Sequence, residues 1–339
     1  MDSAWNRRTA IVAIGRNEGA RLKLCLRAAQ SLAATVVYVD SGSADGSAEF
    51  ARGLGCAVVV ELDPARPFTA ARARNEGFQR LLELAPATEF VQFVDGDCVL
   101  DAGWLAYGSV ELHAHPEAAL VRGRLVEMHP EQSVYNRLCH LEWQQTPGEI
   151  PACGGLFLIR AQVFRQVGGF REDVIAAEDD EFCLRVRAAA WKIRMVDAPM
   201  ASHDAAILRF GQWWRRACRA GHAYAQVAAL HSGEGYFAAE MRRLWFWGLL
   251  VPLAALLAAC CTRGFSLLAF VLLYAVRWLR IRRVGLGRGW SGRDAGLYAL
   301  FAVLSHPAGW QGMMQYHLRR RTGSGLRIIE YKSGKTRTK

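Results

Sequence analysis

None of the nine cysteines stands in a Cys-x-x-Cys pair. Cys25, Cys56, Cys98, Cys139, Cys153, Cys183, Cys218, Cys260 and Cys261 therefore read as small buried hydrophobes of a reducing compartment. Acid is scarce at one end of the chain. From Arg263 to Lys339 only Asp294 and Glu330 oppose fifteen Lys or Arg, a net +13, which leaves −2 for Met1–Thr262 out of +11 overall. The basic character thus belongs to the C-terminal quarter, where it flanks apolar runs. This favours anionic lipid headgroups over the folded basic face that reads nucleic acid. Also missing is a signal-peptide core, because the apolar run Ile11–Ile14 stops at Arg16-Asn17-Glu18, and the N-terminal part is expected to stay in the cytoplasm.

At 339 residues the chain exceeds what one core usually supports, and one larger domain with an appendage is expected. Its first part alternates short β-branched runs with helix-like segments, the pattern of a mostly parallel sheet covered by helices. Strands are predicted at Thr9–Ile14, Thr35–Val39, Ala57–Glu61, Phe90–Val94, Leu156–Ile159 and Ile193–Val196. Helices are predicted at Ala20–Ala33, Ala44–Arg52, Ala70–Leu84, Ala161–Val167 and Glu178–Ala190.

Chemistry concentrates where these strands end. Phe90–Val94 runs into Asp95-Gly96-Asp97, two carboxylates around a residue without Cβ. Beyond a strand's carboxyl end such acids face a cleft and suit Mg2+ or Mn2+ beside a diphosphate; ordinary turn chemistry is the alternative. The first strand leads into Asn17-Glu18 and the second into Asp40, acceptors suited to a base imide or a ribose hydroxyl, whereas Asp45 suits a helix cap. Arg72 and Arg74 offer planar guanidinium forks to phosphate, or else belong to a solvated helix face. Glu178-Asp179-Asp180-Glu181 opens a helix, where the macrodipole favours acids, and either Glu178 or Asp179 fits a base on a rigid element.

Taken in order, Ile14–Glu18, Val39–Ser43 with Asp45-Gly46, Arg74-Asn75 with Gly77, Asp95-Gly96-Asp97, Gly154-Gly155 and Glu178-Asp179 resemble the inverting family-2 glycosyltransferases over Thr9–Tyr224. The resemblance implies a GT-A fold: a Rossmann-like α/β sheet, mixed but mainly parallel, with helices on both faces. It implies a nucleotide-diphosphate sugar donor and a divalent cation. It puts Asp40 near the nucleobase, Asp95 near ribose or metal, Asp97 on the metal and Asp179 as general base. Glu178 then contacts the acceptor or supports the loop. His203 is a third metal ligand by the same comparison, or a structural hydrogen-bonder. Gln212-Trp213-Trp214-Arg215 looks like the Gln-x-x-Arg-Trp element of processive synthases, with Arg216 where the final Trp belongs. It reads as an acceptor-side surface or as an amphipathic helix on a membrane. A nucleotidyltransferase is disfavoured because its Gly-rich, Lys-containing N-terminal loop is missing.

The C-terminal part is expected to form a membrane hairpin, with spans at about 244–262 and 265–281, a third or re-entrant segment at 295–314, and a basic tail over 319–339. A buried helical subdomain is the alternative. With residues 1–235 as a cytosolic catalytic domain, the expected function is inverting sugar transfer to a lipid-linked or polysaccharide acceptor at the bacterial cytoplasmic membrane. A polyprenyl-phosphate sugar synthase and a catalytically silent scaffold are the other readings.

Overall fold

The run Thr9–Ile14 carries no polar alternation because the strand it forms is covered on both faces. Ala10, Val12 and Ile14 enter one core with Phe78, Leu81 and Phe93, while Ile11 and Ala13 enter a second with Leu22, Leu26 and Trp104. Two-sided burial of this kind is what a parallel strand between helical layers requires.

The computed structural model describes residues 8–323. In chain order the elements are β1 (Thr9–Gly15), α1 (Ala20–Leu32), β2 (Val36–Asp40), α2 (Ser47–Leu54), β3 (Val58–Glu61), α3 (Ala70–Leu84) and β4 (Phe90–Asp95). There follow β5 (Cys98–Leu100), α4 (Trp104–Ala114), β6 (Ala118–Glu127), α5 (Val134–Trp143), β7 (Gly148–Glu149), β8 (Phe157–Arg160), α6 (Ala161–Gln166), α7 (Glu178–Ala188) and β9 (Lys192–His203). Last come α8 (Phe210–Leu230), α9 (Ala238–Trp245), a π-helical turn (Phe246–Leu250), α10 (Val251–Leu257), α11 (Phe265–Gly287) and α12 (Gly292–Thr322). Beyond Gly323, the expected basic tail lies outside the described residues.

Within these limits the chain divides into two units, 8–129 with 142–205, and 130–141 with 206–323. The first holds a single sheet of order β3-β2-β1-β4-β8-β6-β9-β5, with β7 added on β9. Helices α3, α6 and α7 pack on one face and α1, α2 and α4 on the other. The sheet is mixed, with its longer ladders parallel: β1 pairs in parallel with β2 and β4, β2 with β3, and β6 with β9, whereas β8 is antiparallel to both β4 and β6, and β5 and β7 are antiparallel to β9. Register aligns the carboxyl ends, with Asp40 opposite Gly15 and Asp95 opposite Ile14. Because the chain leaves β1 toward β2 and returns on its other side at β4, a topological switch point falls beside Asp95.

The second unit is helical. Gly221 and Gly312 let α8 and α12 approach backbone to backbone, since a Cβ on Gly221 would strike the Gly309 carbonyl and one on Gly312 the Cys218 carbonyl. Arg137 on α5 clamps Asp294 on α12 through two bonds of 2.9 and 2.7 Å. The expected membrane spans are not found here: no helix among the described residues is long and apolar enough to cross a membrane. Helix runs without a break over Ala238–Leu257, but Glu240, Arg242 and Arg243 occupy its start, which leaves Leu244–Leu257 as the apolar part, roughly 20 Å at 1.5 Å per residue, against about 30 Å of hydrocarbon, and 258–264 turns back. The apolar start of α11 is cut short by Arg277, Arg280, Arg282 and Arg283. Apolar composition suggested spans where the helices are too short or too charged to cross.

Helix α3 lies so close to the sheet that a Cβ at Gly77 would come within 2.5 Å of Val12 and 2.7 Å of Val39. Overpacking costs about 1–3 kcal/mol, more than the ~1 kcal/mol by which Ala improves helix propensity over Gly. Gly77→Ala is therefore expected to lower unfolding free energy by about 1–2 kcal/mol in denaturant titration; an unchanged or raised stability would contradict this packing.

Candidate active site

Strand β4 delivers Asp95 to the sheet edge, and the chain then turns sharply, Gly96 N donating to the Ile14 carbonyl at 2.7 Å. A Cβ on Gly96 would lie 3.1 Å from Leu22 and 3.2 Å from that same carbonyl oxygen, so the acids are separated by the residue that lets the turn press against β1. Asp97 follows, buried, and the short strand β5 begins at once. Pairing of β5 with β9 sets Cys98 opposite His203, and His203 Nε2 stands 3.3 Å from Asp97 Oδ2. Trp143 packs edge-on against the imidazole at 4.7 Å, and β6 places Glu127 directly across β9 from it.

Asp97, Cys98 and His203 bring one ligand atom each to within 4.8 Å of one another. Burial, reinforced by the nearby Asp95, pushes the Cys98 thiol well above its ordinary range. Its Sγ donates to Asp97 Oδ1 at 3.3 Å. The carboxylate and the imidazole make a hard oxygen and nitrogen set that fits Mg2+ or Mn2+ with further oxygens from a ligand.

Arg74 connects the sheet edge to α7. Its Nη2 donates to Asp95 Oδ1 at 2.8 Å and its Nη1 to Glu178 Oε1 at 2.9 Å, with the guanidinium 5.4 Å over the Phe170 ring. Burial alone would depress its pKa, but Asp95 and Glu178 raise it instead. The double glycine lies between these groups. A Cβ at Gly155 would meet Arg74 Nη2 at 2.6 Å and Asp95 Oδ2 at 3.2 Å. One at Gly154 would stand 3.7 Å from Arg122 Nη1 and 3.9 Å from Asp179 Oδ2. Acids at 95, 178 and 179, remote in the chain, are thereby gathered around one loop, with the Asp97–His203 pair two residues beyond Asp95.

Helix α7 starts from Ala177, held in the left-handed region at φ 55° without a side-chain cap. Four acids share its first turn, and their crowding shows in their pKa values. Burial and then repulsion from Glu178 raise Asp179 to about 6, against the pull of Arg74. Burial, with Asp179 and Glu178, raises Asp180 to about 8.

Other expected positions make bonds within the framework. Arg72 is turned inward, its Nε donating to Glu76 at 2.6 Å and its Nη1 to the carbonyls of Asp63 and Arg66 at 3.0 and 3.1 Å, so it braces the loop before α3 rather than offering an open fork. Asp40 is buried, accepting from Tyr38 Oη at 2.8 Å and from Ser43 N at 2.7 Å. Asn17, at φ 54°, accepts from Ala44 N at 2.8 Å and so joins the first two strand-end loops. Glu18 pairs with Arg21 at 2.7 Å. In the second unit Gln212 accepts from Leu208 N and Arg209 N at 2.9 and 3.0 Å, capping its own helix. Trp213 is buried against Phe210 and Phe301, and Trp214 donates to Gln311 at 2.8 Å. Of that expected acceptor surface only Arg215 is exposed. Sequence reasoning missed Arg122, Glu127 and Trp143. The first two lie on β6, whose run Ala118–Val126 is apolar apart from Arg122, Gly123 and Arg124, a pattern that marks a strand with a buried cation.

Comparison with known proteins agrees with this architecture. A mannosyltransferase from Pyrobaculum calidifontis, solved in complex with GDP-Man and Mn2+, superposes with a TM-score of 0.50 at 20% identity, over 94% of this chain and 86% of that one. Among curated proteins, the pre-mycofactocin glycosyltransferase of Mycobacterium tuberculosis is 28% identical over 244 residues, 67% of this chain. The chain spans about half the length of the curated relatives it matches, 48%. The family model described as glycosyl transferase family group 2 matches residues 91–306, more than half of the sequence. On that match, this chain belongs to the glycosyl transferase family group 2.

Proposed function

We propose that the protein transfers a sugar, with inversion, from a nucleotide-diphosphate donor to an acceptor hydroxyl, and that Asp179 is the base. The observation that carries this reading is the Arg74 fork between Asp95 and Glu178 beside Asp179. It ties the proposed donor-side and acceptor-side acids to one cation. Asp97 and His203 would hold a divalent cation, with Asp95 turned toward the ribose or the same ion. When bound, that cation would neutralise negative charge gathering on the departing diphosphate. Asp40, Asn17 and Glu18 belong to the strand-end loops proposed to border the nucleoside. Asp179 takes the hydroxyl proton as the acceptor oxygen attacks the anomeric carbon from the face opposite the leaving group, so no covalent sugar intermediate forms. A carboxyl with a pKa of about 6 is ionised at neutral pH and basic enough for this task.

The second unit is proposed to rest on the anionic cytoplasmic face of a bacterial membrane, near a lipid-linked or saccharide acceptor. In support, Leu253, Leu256, Leu257, Phe265, Val271 and Leu272 are exposed on α10 and α11, and Arg277, Arg280, Arg282 and Arg283 follow on α11. Such an apolar stretch followed by cations suits an interfacial helix pair.

Four measurements test these assignments. Asp97→Asn is expected to abolish chelator-sensitive donor hydrolysis with a melting temperature near that of the parent; equal turnover would refute the metal assignment. Asp179→Asn should lower transfer by about 10²–10⁴-fold without weakening nucleotide binding. Because the base works ionised, transfer by the parent should fall as pH drops through about 6. Arg74→Met, which removes the cation opposing that rise, should move this limb upward. An unmoved limb would exclude Asp179 as its source. Finally, flotation with anionic vesicles should be weakened by Leu256→Glu combined with Phe265→Glu, at positions 64% and 72% exposed; undiminished flotation would rule out a lipid role for this surface.

A further inference from the structure

Arg122 has no place in the chemistry described above. It is 5% exposed, yet its side chain makes no hydrogen bond and no ion pair among the described residues, and its Nε is fully buried without a partner. Arg72, Arg74 and Arg185, by contrast, each donate to a carboxylate or a carbonyl. An unpaired guanidinium is expensive to bury and is tolerated where a ligand completes it.

Topology says where this one points. Strand β6 runs antiparallel to β8 with Val121 opposite Leu158, so the residues following Val121 lie at the edge where β8 begins and where Gly154-Gly155 enters. Side chains alternate along β6: Leu120 belongs to the core that contains Phe182 and Cys183 of α7, and Val121 to the other. Arg122 therefore shares the face of α7 and of Asp179. Its Nη1 and the Asp179 carboxylate both lie within 4 Å of a single point over Gly154, where the glycine leaves open the volume a side chain would fill. Burial depresses its pKa, and the nearby Asp179 only partly opposes this.

We propose that Arg122 is the anion-binding group of the acceptor subsite, and that the acceptor carries a phosphate or carboxylate within a few bonds of its attacking hydroxyl. This rests on Asp179 being the base. The two groups recognise neighbouring parts of one molecule, the hydroxyl at Asp179 and the anion at Arg122. The subsite is separate from the diphosphate side, where Asp95, Asp97 and His203 gather.

The test is thermal melting of the full chain with Mn2+ and saturating UDP or GDP, whichever binds, titrated with inorganic phosphate and separately with acetate. The nucleotide occupies the donor side, so a further upward shift reports a second anion site, phosphate or carboxylate according to which ion acts. In Arg122→Met the ion-dependent shift should vanish, while the ion-free midpoint stays at or above that of the parent because an unpaired buried charge is gone. Arg122→Lys should retain part of the shift. Three results would overturn the proposal: no shift in the parent with the nucleotide bound, an undiminished shift in Arg122→Met, or a lowered ion-free midpoint in that variant, which would make Arg122 a structural brace. Nucleotide affinity at least tenfold weaker in Arg122→Met would assign it to the donor diphosphate instead. Full transfer by Asp179→Asn would sink the base assignment but leave the ion-dependent shift in place, so the two failures are distinguishable.

Discussion

One guanidinium holds the candidate site together. Arg74 reaches from α3 to Asp95 at the end of β4 and to Glu178 at the start of α7, adding a polar link to elements that already share one apolar core. A planar fork can satisfy two carboxylates at fixed angles, which a lysine ammonium cannot do. The loop Gly154-Gly155 must then run past the fork without side chains, because a Cβ at Gly155 would overlap the Arg74 Nη2. Glycine at this point follows from the ion pair.

The same constraint governs the electrostatics. Glu178, Asp179, Asp180 and Glu181 crowd one helical turn, and one cation does not neutralise them all. Arg74 is bonded to Glu178, and Arg185 to Glu181 at 2.8 Å. Asp179 and Asp180 make no such bond among the described residues, and burial and repulsion raise their pKa values. Repulsion and burial together thus leave a basic carboxylate beside the glycine loop, and the helix dipole makes the crowding tolerable. Arg122, facing the same loop without a partner, is the counterpart in cation form.

In the helical unit, a run of apolar residues supported two structures of different kinds. Leu244–Thr262 has the composition of a span, but its helix ends at Leu257 and the chain reverses before α11. The inward side of these helices packs on α12, where Arg277 meets His306 at 2.8 Å and lies over Trp247 at 4.7 Å. The outward side keeps its leucines exposed. Apolar length and the positions of four arginines, more than overall composition, set these helices apart from a pair long and apolar enough to cross a membrane.

Much of the fold was legible in the sequence because local rules act there. The strands ending at Asp40 and Asp95, the helices at Ala70–Leu84 and Glu178–Ala188, and the acids themselves follow from β-branched runs, turn residues and first-turn charge. Strands β5, β6 and β7 were not legible, since their formation depends on pairing with β9 or β8 and not on their own pattern. Among site residues, sequence identified the chemical types: carboxylates at strand ends, a guanidinium on α3, an imidazole after a strand. Tertiary structure decided which of them meet. It sent Arg72 inward and Arg74 to the acids, spent Gln212 on a helix cap, and brought His203 to Asp97. The physical reason is that a side chain's local propensity is set by its neighbours in the chain, whereas its partner is set by strand register, which the sequence encodes only through the whole packed core.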